Sequence, residues 1–307
     1  MKIHKDVESF KKIEKAVVTT GTFDGVHLGH GKILNTLIDV GERTNSETVI
    51  ITFFPHPRLV LFPDHDLKLI NTIDENIELF KTYGVDHLIF QKFDKDFSRI
   101  TSLEYIRDIL CKKIGLTDLV IGYNHHFGRN REGSINNLHE YTDLYGFDIH
   151  EVLPFKLNGH SVSSTKIRNA INDGELELAN NYLGYSFKLS GEVIQGRGVG
   201  LSIGFPTANI KIENKNKIIP LKGVYAVNVY YNQNRFGGML NIGTNPTFKG
   251  NKLSIEVHIF DFNQDIYNQT LQIEFCKRIR NEKKFNTVDE LKQQLSMDKI
   301  AALNNLD

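Results

Sequence analysis

The pattern of strands and helices changes part-way along the chain, and this change limits the folds that are available. Before residue 185, short apolar runs alternate with amphipathic stretches, whereas after it strand-like runs follow one another between Gly- and Asn-rich turns. Alternating strands and helices form a parallel sheet covered by helices, so the first part predicts an α/β domain. Strands without intervening helices predict an antiparallel sheet or a small barrel. We therefore expect two domains, at residues 1–185 and 186–307.

The apolar periodicity places the individual elements. The first domain has predicted strands at 16–20, 48–54, 87–91, 119–122 and 148–152, and predicted helices at 32–40, 75–83, 103–114 and 135–145. Ser102 is the predicted N-cap of the third helix, Gly115 is its predicted C-cap, and Gly84 ends the second helix. The second domain has predicted strands at 187–194, 224–231, 236–242, 253–262 and 271–278. A terminal helix is expected to follow a capping box at Thr287 and Glu290.

The composition is that of an ordinary globular protein. The 307 residues include 37 Lys and Arg against 37 Asp and Glu, and 40% of them are hydrophobic. A general nucleic-acid binder would carry a large basic excess, so no nucleic-acid partner is expected. The two cysteines, Cys111 and Cys276, are far apart, which argues against a disulfide scaffold or a thiolate zinc site and favours a reducing compartment.

The sequence predicts no membrane-targeting segment. The first ten residues contain no apolar core of signal-peptide length, and no apolar run approaches the roughly 20 residues that span a bilayer. A cytoplasmic protein without a membrane partner is therefore expected. The sequence indicates no oligomeric state.

A glycine-bounded turn after the first predicted strand is typical of a phosphate site. Residues 21–30 contain this turn, followed by a helix start with His27 and His30. Glycines let backbone amides approach a ligand, and helix N-termini favour phosphate. The histidines are three residues apart and share one helix face, where imidazoles could donate hydrogen bonds to a transferring phosphate. The alternative is a structural turn with two surface histidines, but the strand–turn–helix context favours phosphate binding.

A second cluster, Ser163-Ser164-Thr165 with Arg168, also suits phosphate. The hydroxyl groups could cap a helix or hold phosphate oxygens, and Arg168 follows on the same face one turn later. Taken alone, the cluster is better explained as a helix cap.

The second domain contains a glycine-rich connection that could wrap a triphosphate. Residues 191–204 hold five glycines and are followed by Pro206, Thr207 and Asn209. Thr207 and Asn209 share one face of an extended segment, and their oxygens suit Mg²⁺. A glycine-rich loop by itself is more often only a turn. Glu256 lies in an otherwise apolar strand and could serve as a base for phosphoryl transfer, although a solvent-facing strand glutamate is the simpler interpretation.

The motifs of the first domain resemble a known family. Residues 21–30 resemble the signature of the nucleotidylyltransferase superfamily, and residues 163–168 resemble its second phosphate motif. Together with 54–57 and 122–129, they resemble the adenylyltransferase module of bacterial bifunctional riboflavin kinase/FAD synthetases. The resemblance implies a Rossmann-like parallel sheet that joins the adenylyl group of ATP to FMN and releases pyrophosphate. It implies catalytic roles for His27, His30 and Arg168. It also implies nucleotide or flavin contacts from Gly21, Thr22, Phe23, Asp24, Gly25, Pro55, His56, Pro57, Asn124, Arg129, Ser163, Ser164 and Thr165.

The second domain is similar to the riboflavin kinase module of the same family, with its motifs in the same order. The matching residues are 206–209, 223–226, 241–243, 246–248, Glu256, Arg280 and Phe285. The resemblance implies a small closed β-barrel that phosphorylates the ribityl 5′-hydroxyl of riboflavin, with Glu256 as base and Thr207 and Asn209 at Mg²⁺–ATP. It implies nucleotide or flavin contacts from Gly196, Gly198, Gly204, Pro206, Thr207, Asn209 and Arg280. Leu201 replaces a common Arg and Asn268 a common Gly, changes expected to affect kinase efficiency more than fold.

The combined resemblance predicts a bifunctional transferase that makes FMN and then FAD. ATP, riboflavin and FMN are its expected substrates, and Mg²⁺ is expected to accompany ATP. Two alternatives stay open. One is an FMN adenylyltransferase whose barrel binds flavin without phosphorylating it, and the other is a flavin or nucleotide sensor without turnover.

Overall fold

The chain forms two compact units. The structure, a computed structural model, describes residues 1–123, 125, 127–129, 132–133, 135–196, 198–247 and 250–306. The first unit comprises residues 1–67 and 72–163, and the second comprises 68–71 and 164–307. The domain boundary expected after residue 185 stays a prediction. Within the described residues, no helix is both long enough and apolar enough to cross a bilayer.

The first unit is built on a six-stranded parallel sheet, which confirms the predicted α/β fold. Its strands are β1 (Lys2–His4), β2 (Ala16–Gly21), β3 (Glu47–Phe54), β4 (His87–Lys92), β5 (Leu116–Gly122) and β6 (Asp148–Val152). The spatial order is β1-β4-β3-β2-β5-β6, and every neighbouring pair is parallel. Its helices are α1 (Leu28–Thr44), α2 (Pro57–Leu61), α3 (Ile73–Thr82), α4 (Ser102–Glu104) and α5 (Ile135–Tyr145). A short hairpin follows, made of β7 (Lys156–Leu157) and β8 (His160–Ser161).

Both faces of this sheet are buried, which explains why its strands are continuous apolar runs. Val18, Ile51 and Leu119 pack into the core on one face, whereas Val17 and Ile50 pack into the core on the other. Strand β1 was not predicted because three edge residues are too few to show a periodic pattern.

The helix expected at 103–114 differs from the prediction in its start and in its winding. Thr101, not Ser102, is the N-cap, because its side chain accepts a hydrogen bond from the N–H of Glu104, whose carboxylate accepts in return. After α4 the chain winds as a π-helix, Tyr105–Ile114, with an i to i−5 bond from the N–H of Gly115 to the carbonyl of Leu110. Gly115 ends the helix with φ 97°, as predicted.

The second unit contains a closed antiparallel barrel and a terminal helix, as predicted. Its strands are β9 (Lys188–Ile194), β10 (Ala208–Lys211), β11 (Gly223–Tyr231), β12 (Asn234–Thr247), β13 (Gly250–Ile259) and β14 (Thr270–Arg280), closed in the order β10-β13-β12-β11-β14-β9. Its helices are α6 (Ser164–Asp173), α7 (Leu176–Leu183), α8 (Val199–Ser202) and α9 (Val288–Leu303). The barrel interior is filled by large apolar side chains that include Tyr225, Phe275 and Leu240. Thr287 caps α9, but the Glu290 carboxylate accepts from the N–H of Asn286, so only half of the predicted capping box forms.

A short segment from the first half of the sequence belongs to the second unit. Leu69 pairs in parallel with Lys217, donating its N–H to the carbonyl of Asn216 and accepting the N–H of Ile218. The buried ammonium of Lys217 donates to the carbonyl of Ile70 at 2.7 Å. Residues 68–71 are thus held along the 216–218 segment. No periodic pattern in four residues predicts such a pairing.

Candidate active sites

The strand order of the first unit favours a ligand site at the carboxyl end of β2. From β2 the sheet continues through β3 on one side and through β5 on the other, so the strand order reverses beside β2. Open parallel sheets bind ligands outside the carboxyl ends of their strands at such a reversal. The predicted motif at 21–30 follows β2 directly, and α1 begins there with its N-terminus.

The turn between β2 and α1 has an unusual backbone. Phe23, Gly25 and Val26 all have positive φ, at 46°, 85° and 33°. A positive φ strains residues other than glycine and persists only where the surroundings enforce it. Here the side chains of Phe23 and Val26 are each only 2% exposed, and the N–H of Val26 donates to the carbonyl of Phe23 at 3.0 Å. The turn is therefore a built feature, and buried Asp24 lies within it.

His27 is both the N-cap of α1 and one of the predicted phosphate ligands. Its Nδ1 accepts the backbone N–H of His30 at 3.2 Å. A nitrogen that accepts this bond carries no proton, so the neutral ring carries its proton on Nε2. The Nε2–H group can then donate to a phosphate oxygen. A Cβ at Gly29 would lie 3.1 Å from the His27 ring, so glycine leaves room for this ring position.

The second histidine of the motif is held as a neutral group. The rings of His27 and His30 stack with centroids 3.7 Å apart and planes 12° apart. Burial and the neighbouring His27 lower the pKa of His30 well below its usual range. The Nδ1 atom of His30 is buried and has no hydrogen-bond partner among the described residues. The sequence correctly placed both histidines together at the helix start.

The remaining predicted residues of the first site occupy several elements. The Phe54–Pro55 peptide bond is cis, His56 caps α2 by accepting the N–H of Arg58 at 3.1 Å, and Pro57 is the first residue of α2. Gly21 ends β2 and Thr22 follows it, its carbonyl accepting from Thr52. Arg129 is exposed and Asn124 lies outside the described residues.

The predicted second phosphate motif extends over the division between the units. Ser163 ends the first unit, whereas Ser164, Thr165 and Arg168 lie on α6 of the second. The pairing of Arg168 with the two histidines therefore stays a prediction.

In the second unit, the glycine-rich connection packs tightly against the residues that follow it. A Cβ at Gly196 would overlap the side-chain amide of Asn209. A Cβ at Gly200 would overlap the carbonyl of Phe205 and lie 3.4 Å from the hydroxyl of Thr207. Gly198 and Gly204 have φ values of 71° and 83°, in the left-handed region that favours glycine. The glycines are thus required by close approach and by backbone conformation.

Glu256 lies in one cross-strand row with two asparagines. It is directly opposite Asn209 across β10 and β13, and directly opposite Asn241 across β13 and β12. Opposite residues point to the same face, with Cβ atoms about 5 Å apart. The flanking Ile255 and Val257 are buried in the barrel, so Glu256 faces outward. An outward-facing glutamate was also the simpler interpretation of the sequence. The same outer face holds Asn209, one of the predicted Mg²⁺–ATP residues.

Two further predicted residues have structural partners. The carbonyl of Pro206 accepts a hydrogen bond from Nδ1 of buried His258 at 2.7 Å. Arg280 forms a bidentate ion pair with Asp298 of α9, at 2.8 Å from Nε and 2.6 Å from Nη2. This pair ties the last strand to the terminal helix, and a nucleotide or flavin contact from Arg280 stays a prediction.

The residues predicted to bind the metal offer donors that fit Mg²⁺ rather than a soft metal. Thr207 and Asn209 offer a hydroxyl and an amide oxygen beneath the glycine connection. Mg²⁺ commonly takes one or two protein oxygens together with substrate phosphates. In the described part of the chain, no cluster of three or more His, Cys, Asp or Glu residues could hold a metal ion.

Comparison with known proteins identifies the family. The FAD synthetase family model matches residues 9–166, and the riboflavin kinase family model matches residues 183–306. The chain belongs to the bifunctional riboflavin kinase/FMN adenylyltransferase family. The bifunctional riboflavin kinase/FMN adenylyltransferase of Escherichia coli K12 is 37% identical, with 94% of this chain and 92% of that protein covered. The protein of the same name from Bacillus subtilis 168 is also 37% identical, with the same coverage.

A solved structure has the same fold as this chain over nearly its whole length. A crystal structure of a protein named macrolide-efflux protein, from Streptococcus pneumoniae, is 31% identical and aligns with a TM-score of 0.91. It covers 98% of both chains. The name of that protein refers to macrolide efflux. Both family models that match this chain describe enzymes of flavin synthesis.

Two residues that lie beside predicted site residues could not be found from the sequence. Asp298 is one of several acidic residues in α9, and only the fold shows that it is buried against Arg280. The position of Asn241 beside Glu256 depends on strand register, which the sequence does not reveal. Its occurrence in a motif shared with the riboflavin kinase module was the one available indication.

Proposed function

We propose that this chain phosphorylates riboflavin to FMN with ATP and then adenylylates FMN to FAD with release of pyrophosphate. The observation that carries the proposal is the placement of Glu256 directly opposite Asn209 on the barrel. A chain that only adenylylated FMN would need no base at that position. The His27–His30 pair at the carboxyl end of β2 supports the second activity.

In the kinase step, Glu256 accepts the proton of the ribityl 5′-hydroxyl. The hydroxyl oxygen attacks the γ-phosphorus of ATP, the bond from that phosphorus to the bridging oxygen breaks, and ADP leaves. Thr207 and Asn209 would hold Mg²⁺, which supplies charge neutralisation at the phosphates when bound. The close fit of the glycine connection over these residues supports a triphosphate site. Further contacts are proposed from Gly196, Gly198, Gly204, Pro206 and Arg280.

In the adenylyl step, a phosphate oxygen of FMN attacks the α-phosphorus of ATP and pyrophosphate leaves. The Nε2–H of His27 donates to the charge that builds on the transferring phosphate, and His30 lies beside it. We assign Arg168 to the leaving pyrophosphate. Because positioning and hydrogen bonding can supply the rate, no covalent enzyme intermediate is required.

The two proposed activities can be separated by mutation. Glu256→Gln should abolish FMN formation from riboflavin while FAD formation from added FMN persists, because only the kinase step needs the base. The double variant His27→Ala/His30→Ala should lose FAD formation from added FMN, while FMN formation from riboflavin persists. Incubation of each protein with Mg²⁺–ATP and either flavin, followed by chromatography of the products, tests both assignments. Unchanged FMN formation by Glu256→Gln would refute the base.

Leu201 is the residue that most favours the single-activity alternative. It lies in α8 within the glycine connection and is 72% exposed. Because leucine is apolar, it contributes no charge where the family commonly has Arg. We propose that the kinase is slowed rather than abolished, since Glu256, Thr207 and Asn209 are all present. Absence of FMN after incubation with riboflavin and Mg²⁺–ATP would instead establish the single activity. If pyrophosphate release from FMN and ATP were absent as well, the chain would be a sensor.

We also propose that the two domains comprise residues 1–185 and 186–307. We propose in addition that the protein works in the cytoplasm. Both reactions consume ATP, which supports that compartment. Cys111 and Cys276 are not joined in a disulfide, which suits a reducing environment. Fractionation of cells followed by assay of both activities tests this location.

A further inference from the structure

Asn241 lies next to the proposed catalytic base but has no role in the mechanism described above. It is directly opposite Glu256 across β12 and β13, on the side away from Asn209. The three side chains therefore project from neighbouring strands onto one face. The Asn209 amide lies close against Gly196 of the glycine connection. Among the described residues, the side-chain amide of Asn241 has no hydrogen-bond partner.

The space around the Asn241 amide is kept open by a glycine. A Cβ at Gly243 would lie 3.0 Å from Nδ2 of Asn241 and 2.6 Å from Oε1 of Glu282. Any larger residue at 243 would displace the amide or the carboxylate. The Glu282 carboxylate accepts the N–H of Thr244 at 3.1 Å, which fixes the backbone of this part of β12. The amide therefore has unused donor and acceptor capacity on a fixed strand.

An amide suits this position because it carries no charge. A cation beside Glu256 would weaken it as a base, and a second carboxylate would raise the pKa of the pair. An amide can orient a hydroxyl group and leave the charge of its neighbour unchanged. The substrate of the proposed kinase presents a chain of hydroxyl groups that ends at the reacting 5′-hydroxyl.

We propose that Asn241 binds the ribityl chain of riboflavin at the 4′-hydroxyl and so directs the 5′-hydroxyl towards Glu256. This inference rests on the proposed kinase function. It makes Asn241 a residue that determines specificity for a polyhydroxylated acceptor, on the side of Glu256 opposite the nucleotide residue Asn209.

The test is a thermodynamic cycle in which the Asn241 side chain and the 4′-hydroxyl of the substrate are removed singly and together. Wild type and Asn241→Ala are each assayed with riboflavin and with its 4′-deoxy analogue. With riboflavin, Asn241→Ala should raise KM for the flavin and lower kcat/KM by about 3- to 10-fold, the worth of one neutral hydrogen bond. With the 4′-deoxy analogue the two proteins should be equal within error, and KM for ATP should not change.

Asn234→Ala, an exposed asparagine on the same strand, is the matched control and should behave as wild type with both flavins. An equal loss for both flavins would show that Asn241 acts through Glu256 or through the fold, and it would overturn the proposal. A change in KM for ATP would overturn it as well. If wild type itself made no FMN from riboflavin, the proposed kinase function would fail. If wild type formed FMN but the effects of Asn241→Ala and of removing the 4′-hydroxyl were simply additive, only the role of Asn241 would be refuted.

Discussion

Nδ1 of His27 accepts the backbone N–H of His30 at 3.2 Å, and the two imidazole rings stack 3.7 Å apart. One residue thus caps α1 through Nδ1, and its neutral ring carries the proton on Nε2. Protonation of Nδ1 in His27 would break the cap, and two stacked cations would repel one another. The pair is therefore built to work without a full positive charge on each ring.

Acid is expected to destabilise the first unit through His30. Because burial and His27 lower the pKa of His30 well below 6.5, the unfolded chain binds its proton at higher pH than the folded chain. Above pH 6.5 His30 is neutral in both states and does not lower the free energy of unfolding. As the pH falls from 6.5 towards the pKa of His30 in the folded chain, the free energy of unfolding decreases. The loss per proton is at most about 1.4 kcal/mol per pH unit. Urea unfolding monitored by circular dichroism between about pH 7.5 and about pH 5.5 measures it.

The variant His30→Asn should lose less stability than wild type over that range, since it removes the titrating ring. His139→Asn, at an exposed position on α5, serves as the matched control and should follow wild type. Identical acid sensitivity in His30→Asn and wild type would contradict the assignment.

A methyl group at Gly196 should disable the kinase alone. A Cβ there overlaps the Asn209 amide, so Gly196→Ala must displace a proposed Mg²⁺–ATP ligand. A displacement of about 1 Å can reduce turnover on the order of 100-fold. FMN formation should fall by that order, and FAD formation from FMN should persist.

The double variant Gly196→Ala/Asn209→Ala removes the overlap. Its unfolding midpoint should return towards that of Asn209→Ala, while kinase activity stays low. Kinase turnover in Gly196→Ala equal to wild type would show that the amide is not needed where the structure places it.

Local patterns predicted the elements that are long and periodic, and they failed where distant residues decide the structure. Continuous apolar runs predicted β3 and β5 because both faces of the sheet are buried. The three-residue β1 and the pairing of Leu69 with Lys217 depend on partners far along the chain. The sequence predicted Glu256 and Asn209 as separate candidates, but only the register of β10 and β13 places them opposite one another. Ser102 was the wrong cap because Thr101 has the reciprocal partner, Glu104.

Loss of Asp298 should release the terminal helix from the barrel. Its side chain is 1% exposed and holds Arg280 through a bidentate pair, while Gln294 donates to the same carboxylate at 3.0 Å. Removing one partner of a buried pair leaves the other uncompensated and costs about 3–5 kcal/mol. Asp298→Ala should therefore lower the free energy of unfolding of the second unit by that order in urea titrations.

Asp289→Ala, an exposed change in the first turn of α9, is the control and should cost under about 1 kcal/mol. Equal stability of the two variants would show that the Arg280–Asp298 pair contributes little.

The buried Lys217 should hold the segment 68–71 in place. Its ammonium donates to the carbonyl of Ile70 at 2.7 Å and lies 4.6 Å from the centroid of the Phe187 ring. Lys217→Met keeps the length of the side chain but removes the donor, and a hydrogen bond to a charged group is worth about 1.5–3 kcal/mol. The backbone pair between Leu69 and Ile218 should then open more often. Hydrogen exchange of these two amides should accelerate by on the order of 10-fold or more, whereas Lys215→Met, at an exposed position, should leave it unchanged. Slow exchange retained in Lys217→Met would show that the backbone pairing alone holds the segment.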